Sequence, residues 1–233
     1  MTARVGAPFA DRADAGRRLA QRLGNLAGPG AVVLGLPRGG VPVAAEVARA
    51  LGAPLDVIVV RKLGLPGNPE VAMGAIGEGY FEVLDQGLIH RAGITAGQVR
   101  AAEARERTLL EARVRRLRHG LAPLDLTGRT AVIVDDGIAT GATAHVASRV
   151  ARHLGADRVV VAAPVAPAGL DIPDADDVVV IHAPVLFGAV GVYYRDFSPT
   201  SDAEVVTLLD EAARRTQLVS PEGARADGWR VAR

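Results

Sequence analysis

The 233-residue sequence has no cysteine, which excludes a disulfide scaffold and any thiolate-bound metal. Lysine is almost missing too, Lys62 being the one exception among arginines, and the formal net charge is only +1. Such a balance argues against a chain built wholesale for nucleic acid or a membrane surface. Histidines are few (His90, His119, His145, His153 and His182) and none stands at a metal-ligand spacing from another, so no structural zinc is expected. A long apolar run is also lacking. The longest uncharged stretch, Val178 to Tyr194, is interrupted by His182, Pro184, Gly188 and Gly191 and suits a buried strand and loop better than a span. With Arg4, Asp11, Arg12 and Asp14 early in the chain, no signal peptide is expected, and the cytoplasm is the default location. Aromatics make up 3% of residues, yet Phe187, Tyr193, Tyr194 and Phe197 fall within one short stretch.

What is present is apolar residue in quantity, 49% of the chain, enough for a sizeable core at this length. Its organising stretch is Ala131 to Thr143. Four apolar, mostly β-branched residues form a buried strand that runs into Asp135 and Asp136, then into a loop of small residues, then into a helix whose Val146, Val150 and Leu154 recur at four-residue spacing. A helix N-terminus offers unpaired backbone N–H groups to an anion, and Ala139, Thr140, Gly141, Ala142 and Thr143 keep the approach open while adding hydroxyl donors. The two carboxylates want the reverse, sugar hydroxyls or a hydrated cation. A ribose carrying a 5′-phosphate meets both demands.

Elsewhere the pattern is βαβ. A helix over about Asp11 to Leu26 carries Leu19, Leu23 and Leu26 on one face; strands follow at Ala31 to Leu36 and Leu55 to Val60, with a helix from Pro42 to near Gly52 between them. Further strands are expected at Arg158 to Ala163 and Asp177 to His182, and a last helix at Asp202 to Thr216, with the remainder to Arg233 loosely ordered. The fold class is therefore α/β, an open, mostly parallel sheet with helices on both faces and right-handed crossovers. One domain is expected over 1–233, with an inserted segment over 63–125 and a C-terminal segment over 185–233 contributing to a small hood. Between Leu63 and Tyr80 glycine and proline are dense enough to suggest a mobile loop, with Tyr80 to Leu84 and Ala75 to Glu78 as part of a hairpin. Thr95-Ala96-Gly97-Gln98 is a capping-box pattern opening a long charged helix to about His119, with Leu110, Val114, Leu117 and Leu121 along one side. Its arginines suit a solvated outer face, or alternatively a surface for RNA or DNA.

The Ala131 to Thr143 stretch resembles the signature of the type I phosphoribosyltransferases, in which a strand, two acids and a T-G-x-T loop bind phosphoribosyl pyrophosphate (PRPP). The resemblance implies that Asp135 and Asp136 hold the ribose and act in catalysis, and that Ala139 to Thr143 anchor the 5′-phosphate. It assigns pyrophosphate to Arg38, Gly39 and Gly40 in the loop after the first strand, a loop that in the family often contains a strained or cis peptide. Arg61 and Lys62 at the end of the second strand would share that role. Arg61-Lys62 with Gly64-Leu65-Pro66-Gly67 is similar to the adenine phosphoribosyltransferases, which implies a glutamate handling the base's proton; Glu78 is the candidate, with Glu70 and Glu82 as rivals. Phe187, Tyr193 and Tyr194 are candidates to sandwich a base, or else core or subunit contacts; Asp196 is a candidate for hydrogen bonding to a base edge. The expected cofactor is Mg2+, held mainly by PRPP and water, and the expected partners are PRPP and a purine-like nitrogen base, on a homodimer without nucleic acid or membrane. The rival activities are a PRPP- or nucleotide-sensing regulator without catalysis, and a hydrolase or phosphorylase using the same anion site.

Overall fold

Strand β1 (Ala31–Gly35) is buried along its whole length because the sheet it belongs to is covered on both faces. In this computed structural model, which describes residues 8–28 and 30–219, β1 pairs in parallel with β2 (Leu55–Val57) and β6 (Thr130–Val134). With β7 (Arg158–Val165) and β8 (Asp177–His182) they form a five-stranded parallel sheet of order β2-β1-β6-β7-β8. Alternate residues point to opposite faces. Val33, Val132, Val134 and Val160 join one core with helices α1 (Arg12–Arg22), α2 (Gly40–Leu51) and α6 (Asp202–Val219). Val32, Leu34, Ile133 and Val161 join a second core with α5 (Ala142–His153). The expected α/β class and parallel sheet are what the chain adopts.

The helix ends follow local chemistry. Asp11 caps α1 by accepting from the Asp14 N–H at 2.7 Å. At Gly35 a Cβ would lie 3.0 Å from Val41 Cα, so the glycine is what lets α2 turn back so closely over β1. The expected first helix is shorter than its apolar pattern, since its last residues form a 3-10 turn at Gly24–Leu26.

The stretch after Val60 departs most from expectation. Instead of a glycine-rich loop, β3 (Val60–Leu65) and β4 (Asn68–Gly77) form an antiparallel hairpin, and β5 (Glu82–Leu84) adds a third strand. The glycines serve close approach: a Cβ at Gly74 would stand 2.3 Å from the Val83 carbonyl oxygen, and Gly67 turns the hairpin at φ +82°. β2 ends at Val57, three residues early, because the chain must leave the parallel sheet to start this second one. A short helix α3 (Gln86–Arg91), unmarked by any apolar stripe, then leads to α4 (Ala96–Arg118), which opens with the expected capping box of Thr95 and Gln98. The last helix runs on to Val219, three residues into the stretch expected to be loose, and the rest of that stretch, from 220 on, lies outside the described residues. No described helix is long and apolar enough to cross a membrane.

Candidate active site

The carboxyl ends of β1 and β6 deliver two loops to one crevice, the place where open parallel sheets bind ligands. After β1 the chain passes through Pro37, Arg38, Gly39 and Gly40 before α2, and the Pro37–Arg38 peptide is cis, as the resemblance implies for that loop. After β6 come Asp135 and Asp136. The loops touch: a Cβ at Gly39 would lie 2.1 Å from Asp136 Oδ2, and one at Gly40 would lie 2.5 Å from the Val134 carbonyl oxygen. Only glycine fits at either position.

Asp136 is held from outside the loop. Arg12 Nε of α1 donates to its Oδ2 at 2.8 Å, Arg12 Nη1 donates to the Ser198 carbonyl at 2.7 Å, and the guanidinium lies 4.0 Å over the Phe197 ring. The Tyr194 hydroxyl donates to the Asp136 carbonyl. Asp135 Oδ1 accepts the Asp136 N–H at 2.9 Å. Asp135 keeps part of its surface, but its carboxyl is crowded by protein atoms; this desolvation first, and the Asp136 charge second, push its pKa up. A carboxylate in that state favours a cation or a hydroxyl donor brought by a ligand.

The small-residue loop precedes α5. Gly141 takes the left-handed conformation, φ +76°, and a Cβ there would meet Ile172 Cδ1 at 2.6 Å. Ala139, Thr140 and Thr143 are exposed, Ala142 is half-buried, and Thr140 Oγ1 accepts the Ala142 N–H at 3.4 Å. The first-turn N–H groups of α5 have no acceptor within the helix, as at any helix start. His145, one turn in, pairs with Asp174.

A model of the phosphoribosyl transferase domain matches residues 10–195. The chain belongs to the phosphoribosyl transferase domain family. Two Mycobacterium tuberculosis proteins whose names propose a phosphoribosyl transferase, Rv0571c and MT0597, are each 54% identical to it over 222 residues, covering 94% of this chain and 50% of theirs. The chain thus spans about half the length of these relatives. The crystal structure of TT1426 from Thermus thermophilus is similar at TM-score 0.75 and 44% identity, over 87% of this chain and 98% of that one.

For a phosphoribosyl transferase domain, the remaining expected residues are distributed unevenly. Arg38 lies near the acids' loop, half exposed, with Nη1 3.8 Å from Asp202 Oδ1. Arg61 is tied to Glu106 of α4, Nη2 to Oε2 at 2.7 Å. Lys62 takes the other face of β3 and is exposed, so the period of a strand separates it from Arg61. Glu78 has both oxygens engaged: the Val59 N–H donates to Oε1 at 3.0 Å, and Arg118 Nη1 donates to Oε2. Arg118, buried at the end of α4, also bonds Asp56 at 2.9 Å and the Val57 carbonyl at 2.9 Å, while Asp56 accepts from Leu124 N–H at 3.0 Å. Burial opposes the Arg118 charge, but Asp56 and Glu78 outweigh it and hold its pKa above the usual guanidinium range. This geometry makes Glu78 a strut between hairpin and helix. The rivals Glu70 and Glu82 are exposed strand residues.

The aromatic stretch divides. Tyr194 is buried among Phe9 and Phe197, with ring centroids at 5.4 and 5.0 Å, and has no open face for a base. Burial, then the Asp136 charge, raise its pKa. Phe187 and Tyr193 stack on each other at 5.6 Å and 24°, beside the exposed Val185 and Leu186. Asp196 caps its own turn through Ser198, at 2.6 Å from Oγ.

The described residues contain no group of three or more His, Cys, Asp or Glu able to cage a metal. Mg2+ in phosphate sites is held by one or two carboxylates together with ligand oxygens and water, which asks for no such cage. Sequence reasoning does not single out Arg12, Asp56 or Arg118. Their partners lie far along the chain, although Arg118 is one signal available in advance, a charge next to Leu117 on the apolar side of α4.

Proposed function

We propose that this phosphoribosyl transferase domain transfers the ribose 5-phosphate group of PRPP to a nitrogen atom of a planar, purine-like base, with Mg2+ bound through the diphosphate. The observation that supports the reading is the contact of Gly39 with Asp136 and of Gly40 with Asp135, which brings the loop after β1 against the two acids after β6. In the reaction the acceptor nitrogen forms a bond to C1 as the C1–oxygen bond breaks, pyrophosphate leaves with the electron pair, and the acceptor gives up a proton. Mg2+ neutralises charge on the departing diphosphate when it is bound.

The protein's own share is positioning and electrostatics. First-turn amides of α5 with Thr140 and Thr143 take the 5′-phosphate. Asp135 and Asp136 accept from the ribose hydroxyls and favour the positive charge that develops on the ring. Arg38 and the Gly39 amide receive the diphosphate, while the Gly40 N–H is taken by the Leu36 carbonyl at 3.0 Å. The stacked Phe187 and Tyr193 offer an apolar edge for a flat acceptor.

The test is pyrophosphate release from PRPP and Mg2+ across a screen of bases and amines. Turnover with at least one base, abolished in the Asp135→Asn/Asp136→Asn double variant with the fold retained, is the expected result. Undiminished turnover in that variant would remove the assigned roles. One observation favours the sensor reading: Glu78 is fully engaged, so that this hairpin carboxylate is not free for the acceptor's proton. Saturable PRPP binding with no turnover across the screen would support it.

A further inference from the structure

Helix α4 turns a buried stripe toward the sheet, and Leu110 and Leu117 on it are 2% and 0% exposed. Arg113 stands three residues after the first and four before the second, on the same face. An apolar residue is what that position calls for. The arginine instead reaches the end of β1, where Nη2 donates to the Pro37 carbonyl at 3.3 Å. It lines a pocket with Leu36, Pro37, Val59 and Thr143, the last of these belonging to the small-residue loop before α5. Its Nε is buried and has no hydrogen-bond partner, and no carboxylate among the described residues contacts the guanidinium.

The neighbours add to the imbalance. Arg38, Arg61 and Arg116 lie close enough to act on Arg113, and with burial as the largest cause they lower its pKa against the opposing pull of Asp202. The carboxylates available are already engaged: Asp202 is shared by Arg38 and Arg116, and Glu106 by Arg61 and Arg105. Buried donors without acceptors and a cluster of like charges are both costly, and a single polyanion relieves both.

We propose that Arg113 is a ligand-binding residue for the diphosphate of the phosphoribosyl donor, supplied from helix α4 to the Pro37–Gly40 loop. The proposal rests on the PRPP reading. It gives α4 a purpose besides cover: the Arg118 anchor to Asp56 and Glu78 fixes the last turn of the helix, and with it the register at which Arg113 enters the pocket.

The experiment is calorimetric titration of Mg2+–pyrophosphate and, separately, of ribose 5-phosphate into the wild-type chain, Arg113→Met and Arg113→Lys, each checked for a cooperative melt. Loss of roughly ten- to hundredfold in pyrophosphate affinity in Arg113→Met, partial recovery in Arg113→Lys and unchanged ribose 5-phosphate affinity are expected. Equal pyrophosphate affinity in wild type and Arg113→Met would overturn the assignment. So would parallel weakening of both ligands, which would make Arg113 a support for the loop. Wild-type binding of ribose 5-phosphate without pyrophosphate would remove Arg113 but keep the Thr140 loop. Binding of neither would bring down the PRPP reading, and Arg113 with it.

Discussion

Arg12 Nε and Asp136 Oδ2 stand 2.8 Å apart across 124 residues of sequence, and both side chains are mostly covered, at 11% and 14% exposure. The pair connects the first helix to the acid that closes the motif strand. Removing Arg12 leaves a buried carboxylate unpaired beside a second one. Arg12→Ala is therefore expected to cost about 3 kcal/mol in urea unfolding. The PRPP KM should rise as well, since Asp136 loses the group that orients it.

Asp135 supplies a pH dependence. Burial and Asp136 raise its folded pKa from 3.8 to about 8. Its favourable contribution to stability is complete below the unfolded value and is lost as pH rises through the window up to about 8. Asp135→Asn removes that loss, so it should melt about 2–4 °C higher than wild type at pH 8 and show no gain at pH 4. Ligand binding runs the other way. A PRPP–Mg2+ complex needs the ionised form, so affinity should increase as pH rises toward 8, with net proton release seen as a buffer-dependent heat.

Gly39 tests the contact between the loops. An alanine methyl would have to displace the Asp136 carboxyl from 2.1 Å, and Gly39→Ala is expected to lose about 1–3 kcal/mol and most PRPP binding. Gly24→Ala is the control, because its Cβ would meet nothing within 4 Å. Thermal melts and PRPP titration of the two variants make the comparison.

The strut at Glu78 separates stability from chemistry. Glu78→Gln keeps an acceptor for the Val59 N–H but removes a charge from Arg118, so a loss of about 2 kcal/mol is expected. If the residue only braces the hairpin, kcat should stay within about threefold of wild type and its pH profile should not move. A large fall in kcat with a shifted profile would return Glu78 to proton transfer.

The parallel sheet and the loops that follow β1 and β6 are legible in the sequence because each depends on short-range pattern: apolar runs ending at Leu36 and Val134, then glycine, acid or threonine. The hairpin is not. Gly64 looks like a loop residue until the opposing backbone is known, here the Pro69 carbonyl oxygen, which would stand 2.6 Å from a Cβ placed there. Long-range ion pairs are equally hidden. Arg12 belongs to an ordinary amphipathic helix by sequence, and nothing local couples it to Asp136 or Arg118 to Asp56. Tyr194 looks available to a base because aromatic composition carries no information about which ring is enclosed.

One connection between the start of the first helix and the far end of the domain has a wider effect. Phe9 N–H donates to the Tyr193 carbonyl at 3.2 Å, and Arg195 N–H donates back to the Phe9 carbonyl at 2.9 Å, directly behind the turn that Arg12 and Tyr194 hold. A substitution that tilts this strap reaches Asp136 without meeting any ligand. On the proposed reading, acceptor preference at the neighbouring Phe187–Tyr193 edge would thereby be tethered to sugar affinity, and variants selected for one should drift in the other.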